Sequence, residues 1–132
     1  MSVKDKRRSI KQKLQRVGFA PEDYNSDSIK FLSGETFFVL QLYENANDYY
    51  RLLLPNFYKV NNKFVDKILQ IINFINCQYR CIKILYLHEE LWVSAEIFFE
   101  SEELFIKKLN DLIRISKASA LEVLDSINKE LS

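Results

Sequence analysis

The side chains able to do acid–base or metal chemistry in this 132-residue chain are few, and their spacing argues against chemistry. His88-Glu89-Glu90 sets an imidazole beside two carboxylates. A catalytic pair, however, needs a pocket and a second, distant group held within reach. Three consecutive residues in a short polar gap point to different sides, so the cluster reads as a solvated turn. His88 is the single histidine, which leaves Cys77 and Cys81, spaced C-x3-C, without partners for a Cys/His zinc set. Two cysteines do not make a disulfide framework, and they read as buried free thiols. Glu22, Asp23 and Asp27 lack the spacing and the glycine of a calcium loop. The two glycines, Gly18 and Gly34, exclude a glycine-rich phosphate loop, and no Gly-x-Ser-x-Gly step is present. The expectation is a chain with no catalytic residue, no metal and no cofactor: not an enzyme.

Recognition chemistry is better represented. Aromatic residues make up 14% of the chain. Trp, Tyr and Arg are the types that dominate binding hot spots. Trp92 and Phe98 fall on the strand face opposite the core-facing residues. Tyr86 is expected beside them across a hairpin, with Tyr49, Arg51 and Tyr43 extending the patch. These six are the candidate partner-binding residues, either as a groove for another protein or as a homodimer seam.

The elements that position them follow from periodicity. The centre is Asn61 to Phe99, a helix and then a hairpin. Asn61 or Asn62 can cap the helix. Phe64, Ile68, Ile71, Ile72 and Ile75 form one stripe at helical spacing, which Leu69 and Val65 widen until the helix is buried over much of its girth. The period then becomes two. Leu91, Val93, Ala95, Ile97 and Phe99 share one face of a strand, with Trp92, Ser94, Glu96 and Phe98 on the other. Tyr79–Leu87 is the partner strand. Before this unit, residues 3–17 read as a helix with Ile10, Leu14 and Val17 inward and Gly18 as its left-handed stop. Residues 20–28 read as loop. Three strands follow: Ile29–Leu32, Thr36–Tyr43 after a turn at Ser33-Gly34, and Tyr49–Leu54 after a polar turn at Glu44–Asp48. Pro55 ends the third strand because proline donates nothing to the ladder. A long last helix starts at the cap Ser101. Its stripe runs Phe105, Leu109, Leu112, Ser116, Ala120, Val123, Leu124, Ile127 and Leu131, and the small residues midway allow a bend, close packing or a break. The reading is one α+β domain over residues 1–132, in the order α-β-β-β-α-β-β-α, its antiparallel sheet covered by helices on one face.

Composition fits a soluble globule, at 48% apolar and 28% charged, with a net charge of +1. That total hides an asymmetry. Residues 1–16 hold Lys4, Lys6, Arg7, Arg8, Lys11, Lys13 and Arg16 against Asp5 alone, so the remainder is net acidic. A basic helix on an acidic body can meet an acidic partner, RNA or a membrane surface, although it also reads as a solvated face. No stretch approaches the ~20 apolar residues of a membrane span, and no secretory signal opens the chain. A cytoplasmic setting is expected.

On these residues the chain resembles the YbjN-like family, bacterial proteins described as sensory transduction regulators, which share the fold of type III secretion chaperones. The resemblance is carried by the element order, by the Leu54-Pro55 step and by an Asn-x-x-Asn step, Asn73-Phe74-Ile75-Asn76. Lys83 on the next strand and the apolar–acidic run Val93 to Glu96 add to it. It implies a one-domain protein, often dimeric, whose sheet binds other protein chains without enzymatic chemistry or a cofactor. True secretion chaperones are typically acidic, and this chain departs from them there. Asn73 and Asn76 also have a structural reading, since an asparagine near a helix end can bond freed carbonyls and the next strand. The resulting expectation is a chaperone- or adaptor-like module holding a client or regulatory protein on its sheet. The alternative is a nucleic-acid-associated protein using Arg7, Arg8 and Lys11 of the basic first helix.

Overall fold

The computed structural model describes residues 2–43 and 48–131. It shows helix α1 (Val3–Arg16), strands β1 (Glu22–Asn25), β2 (Ser28–Ser33), β3 (Thr36–Gln41) and β4 (Tyr49–Lys59), helix α2 (Val65–Asn76), strands β5 (Ile82–Leu87) and β6 (Glu90–Phe98), and helix α3 (Glu102–Leu131). The strands form a six-stranded sheet in the order β1-β2-β3-β4-β6-β5. Every neighbouring pair is antiparallel. The α+β reading therefore holds, with one strand more than expected.

Each helix is set by its caps and stripe. Ser2 accepts from the Asp5 amide at 3.2 Å and starts α1. Gly18, at φ +100°, ends it, with Gly18 N–H donating to Gln15 and Phe19 N–H to Leu14. This is the double bond pattern of a glycine-terminated helix. The buried stripe of α1 is Lys6, Ile10 and Leu14. Val17, expected inward, is the C-terminal cap and is exposed. Asn61 caps a single 3-10 turn, Asn62–Phe64, that leads into α2. Ile68, Ile71, Ile72 and Ile75 of α2 are buried as expected, but Leu69 and Phe74 are exposed. The helix thus buries one stripe and not most of its girth. Ser101 accepts from the Leu104 amide and starts α3. That helix runs unbroken for 30 residues. Ser116, Ser119 and Ala120 are buried midway, so the small residues serve close packing and not a break.

The helices lie on one face of the sheet, and the core sits between. Ile29, Leu40, Leu52, Ala95 and Ile82 form one row across β2, β3, β4, β6 and β5, all of them buried. Phe31, Phe38, Leu54, Val93 and Ile84 point to the same side. At one end of the core Tyr50 and Phe105 stack at 4.1 Å with planes 6° apart. Lys6 Nζ sits 4.6 Å from the Tyr50 ring centre.

The strand read over Tyr79–Leu87 begins only at Ile82, and the one read over Thr36–Tyr43 ends at Gln41. Two larger differences have clear physical reasons. Residues 22–25, read as loop, form the edge strand β1, whose four side chains are all exposed. Its polar composition carries no alternation. It is fixed from outside, by Arg7 of α1 donating to the Asn25 and Ser26 carbonyls at 3.0 and 2.7 Å. β4 does not stop at Pro55 either. Leu54 pairs with Val93 and Tyr58 with Leu91, so Pro55, Asn56 and Phe57 stand opposite Trp92 alone. A bulge removes the need for a ladder N–H, which is where a strand tolerates proline. Asn56 takes φ +32° there. The turn expected over residues 44–48 lies outside the described residues except for Asp48.

Candidate partner-binding face

The face of the sheet that carries no helix is where most of the candidate residues meet. Strand alternation puts Trp92, Ser94, Glu96 and Phe98 of β6 on it. Register adds Leu85 beside Trp92 and Arg51 beside Glu96, with Gln41 beside Arg51, and Phe37 beside Leu32. Tyr43, Tyr49 and Phe98 form one aromatic corner. The Tyr43 and Tyr49 rings lie 5.0 Å apart, and those of Tyr49 and Phe98 5.1 Å. Phe98 is 66% exposed.

Tyr86 does not belong to this face. It pairs with Leu91, whose side chain is buried under the helices, and it packs against the core. The reason is the turn. Leu87 already pairs with Glu90, so the loop is His88-Glu89 alone, with φ +51° and +65°. Two left-handed residues are the mirror-type turn that suits a two-residue hairpin. A three-residue gap over His88-Glu89-Glu90 would shift the register by one and turn every side chain over. Leu85, unmarked in the sequence reading, holds the place assigned to Tyr86.

Trp92 is separated from the aromatic corner. Trp92 and Phe98 are six steps apart along β6, roughly 20 Å at about 3.3 Å each. Between them runs a polar belt. Tyr49 donates to Glu96 at 2.8 Å, and Ser94 donates to Glu96 at 3.1 Å. Arg51 donates to Ser94 at 3.0 Å and to Gln41 at 3.2 Å, with Glu96 3.3 Å from its Nε. Tyr43 donates to Gln41 at 3.0 Å. The belt ties its members to one another and leaves an apolar surface at each end. At the Trp92 end the indole Nε1–H is shut off from solvent and has no partner among the described residues.

The belt also moves titrations. The hydrogen bond from Tyr49 keeps Glu96 below the usual carboxylate range. Burial, reinforced by that same bond, pushes Tyr49 up to about 12. On the helix side, burial pushes Tyr50 up to about 12 as well. Both phenols ionise in an unfolded chain near pH 10. A raised folded value means that stability is intact below pH 10 and falls as pH rises toward 12. Lys6, lowered by burial, acts in the opposite sense, its penalty easing as pH climbs toward 10.5. Urea midpoints measured between pH 9 and 12 should therefore decline above pH 10, and the Tyr49→Phe/Tyr50→Phe variant should show a shallower decline. An unchanged slope would show that these phenols are not the cause.

The other candidates are separated or excluded. Cys77 and Cys81, expected buried, are both exposed in the connection from α2 to β5, because the stripe of α2 ends at Ile75. Among the described residues no group of His, Cys, Asp and Glu could hold a metal ion. Among them no helix is long and apolar enough to cross a membrane. The charge of α1 is largely committed within the fold. Arg7 and Lys11 reach Asp23 at 3.5 and 3.2 Å. Lys13 reaches Glu102 and Glu103 at 2.7 and 3.0 Å, and Lys6 is 1% exposed.

The architecture is thus a single antiparallel sheet layered by helices on one side, with the other side open. No protein-family model matches the chain, and no curated protein matches it. A solved structure shares the fold: the crystal structure of an uncharacterized protein from Methanothermobacter thermautotrophicus, 14% identical. The likeness covers 96% of this chain and 99% of that one at a TM-score of 0.57.

Proposed function

We propose that the chain is a non-enzymatic protein-binding module, chaperone- or adaptor-like, that holds a partner polypeptide on the open face of its sheet in the cytoplasm. The observation that carries this reading is the exposure of large apolar side chains on a face no helix covers, with Phe98 at 66% and Leu32 at 58%. Exposed apolar surface framed by polar groups is characteristic of protein interaction sites. The resemblance to the YbjN-like family supports the same role. Strand addition at an edge is the less favoured mode. β1 is short and polar, and at β5 the Asn76 side chain already occupies both backbone groups of Ile84. The nucleic-acid alternative is weaker, because Arg7 and Lys11 are engaged with Asp23.

The test is capture of partners from a native lysate by wild type and by Phe98→Asp, with sedimentation of both proteins alone. Phe98 is exposed, so the variant should keep its melting temperature. A partner held by wild type should be lost or bound at least about tenfold more weakly, a change of roughly 1.4 kcal/mol. Trp92→Phe, which keeps an aromatic side chain but loses the N–H and the pyrrole part of the indole, should still fold. A wild-type homodimer that Phe98→Asp dissociates would make the occupant a second copy. An identical set of bound proteins for both would overturn the proposal.

A further inference from the structure

The groove between α1 and β1 has a different chemistry from the sheet face. Lys4, Arg7, Arg8 and Lys11 are spaced i, i+3, i+4 and i+7, which puts all four on one side of α1. With Gln12, Gln15 and Asp23 they line a groove of about 310 Å³. That volume lies at the lower end of small-ligand sites. Two of the cations have structural work: Arg7 holds the Asn25 and Ser26 carbonyls, and both Arg7 and Lys11 face Asp23. Lys4 and Arg8 make no hydrogen bond or ion pair among the described residues. Four cations therefore share one carboxylate, and two of them are uncommitted.

We infer that this groove is an anion site that takes a small phosphate-bearing ligand of the diphosphate type. The charge balance argues against a lone carboxylate. A single carboxylate neutralises one of the three excess positive charges, whereas a diphosphate group carries enough charge to neutralise most of them. Phosphate also offers several acceptor oxygens to donors that converge from one side, and arginine presents its N–H groups as a fork suited to them. Gln12 and Gln15 supply neutral donors beside the cations. Size argues against a nucleic-acid strand. The four cations span seven helical rises, roughly 10 Å at about 1.5 Å per residue. No aromatic side chain lines the groove for a base to stack on, and single-strand binding relies on such stacking.

The experiment is calorimetric titration of the full chain with sodium pyrophosphate at low ionic strength, beside citrate and a short oligodeoxythymidine. Pyrophosphate should bind with one site per chain. Arg8→Glu and Lys4→Glu should each weaken it by about tenfold or more, since hydrogen bonds to charged groups contribute about 1.5–3 kcal/mol. Arg8→Lys should keep the charge and lose part of the affinity. Both residues are exposed, so melting temperatures should be unchanged. Citrate binding as tightly, oligodeoxythymidine binding more tightly, or pyrophosphate binding that ignores Arg8→Glu would each overturn the inference, as would no binding at all. None of these results bears on the sheet face.

Discussion

Replacing Phe105 by alanine should destabilise the protein by about 3–5 kcal/mol, the usual cost of deleting a fully buried aromatic ring. Phe105 is 0% exposed. It stacks on Tyr50 at 4.1 Å and meets the Phe99 ring edge-on at 5.7 Å. Tyr50 in turn lies under the ammonium of Lys6. The loss would therefore combine lost transfer energy, an unfilled cavity and the stacking contribution of about 0.5–1.5 kcal/mol seen for aromatic pairs. It would also leave Lys6 with a less secure neighbour at the place where α1 meets β4. Since a domain of this size is stable by only about 5–15 kcal/mol, Phe105→Ala should be marginal at 37 °C. Phe105→Leu, which refills most of the volume, should recover about half of the loss. Urea denaturation of the three proteins checks this. A Phe105→Ala midpoint close to wild type would show that Tyr50, Phe99 and Lys6 do not depend on the ring.

Asn76→Ala should cost about 2–3 kcal/mol, from two hydrogen bonds of about 1 kcal/mol each and the exposure or orphaning of the groups they satisfied. The Asn76 amide nitrogen donates to the Ile84 carbonyl at 3.1 Å. Its oxygen accepts from the Ile84 amide at 2.7 Å. A side chain at the end of α2 thereby acts as one residue of a neighbouring strand along the β5 edge. The substitution should have a second consequence, since an edge with free backbone groups invites pairing with other chains. Asn76→Asp keeps an acceptor for the Ile84 amide but sets a carboxylate against the Ile84 carbonyl, so it should also be destabilised. Hydrogen exchange at the Ile84 amide should accelerate in Asn76→Ala, and sedimentation of that variant should show self-association. Unchanged exchange at Ile84 would remove this account of the asparagine.

Asn76 shows how far the sequence could be read. The Asn-x-x-Asn step marked a helix end, and an asparagine bonding the next strand was one of its physical readings. Which asparagine does so, and to which residue, depends on where β5 lies against α2. Asn73 is exposed. Lys6 gave no such signal. It occupies the first place of the Lys6-Ile10-Leu14 stripe, and helical spacing from Ile10 reaches it, but a lysine there is counted as surface until Tyr50 and the Tyr49 carbonyl, 3.4 Å from its Nζ, are brought to it.

The sequence by itself determined the helices, the hairpin, the two faces of β6, and the single-domain α+β class, because each rests on a local period of side chains that must be buried on one side. It also determined which residue types were available for recognition. Tertiary structure decided the rest. β1 exists because α1 fastens it to β2, β4 continues past Pro55 because a three-residue bulge stands opposite Trp92, and Tyr86 turns inward because the hairpin closes in two residues. The aromatic patch is divided, with Trp92 at one end and the Tyr43, Tyr49 and Phe98 corner at the other, because register and not residue type sets the distance between side chains on a sheet.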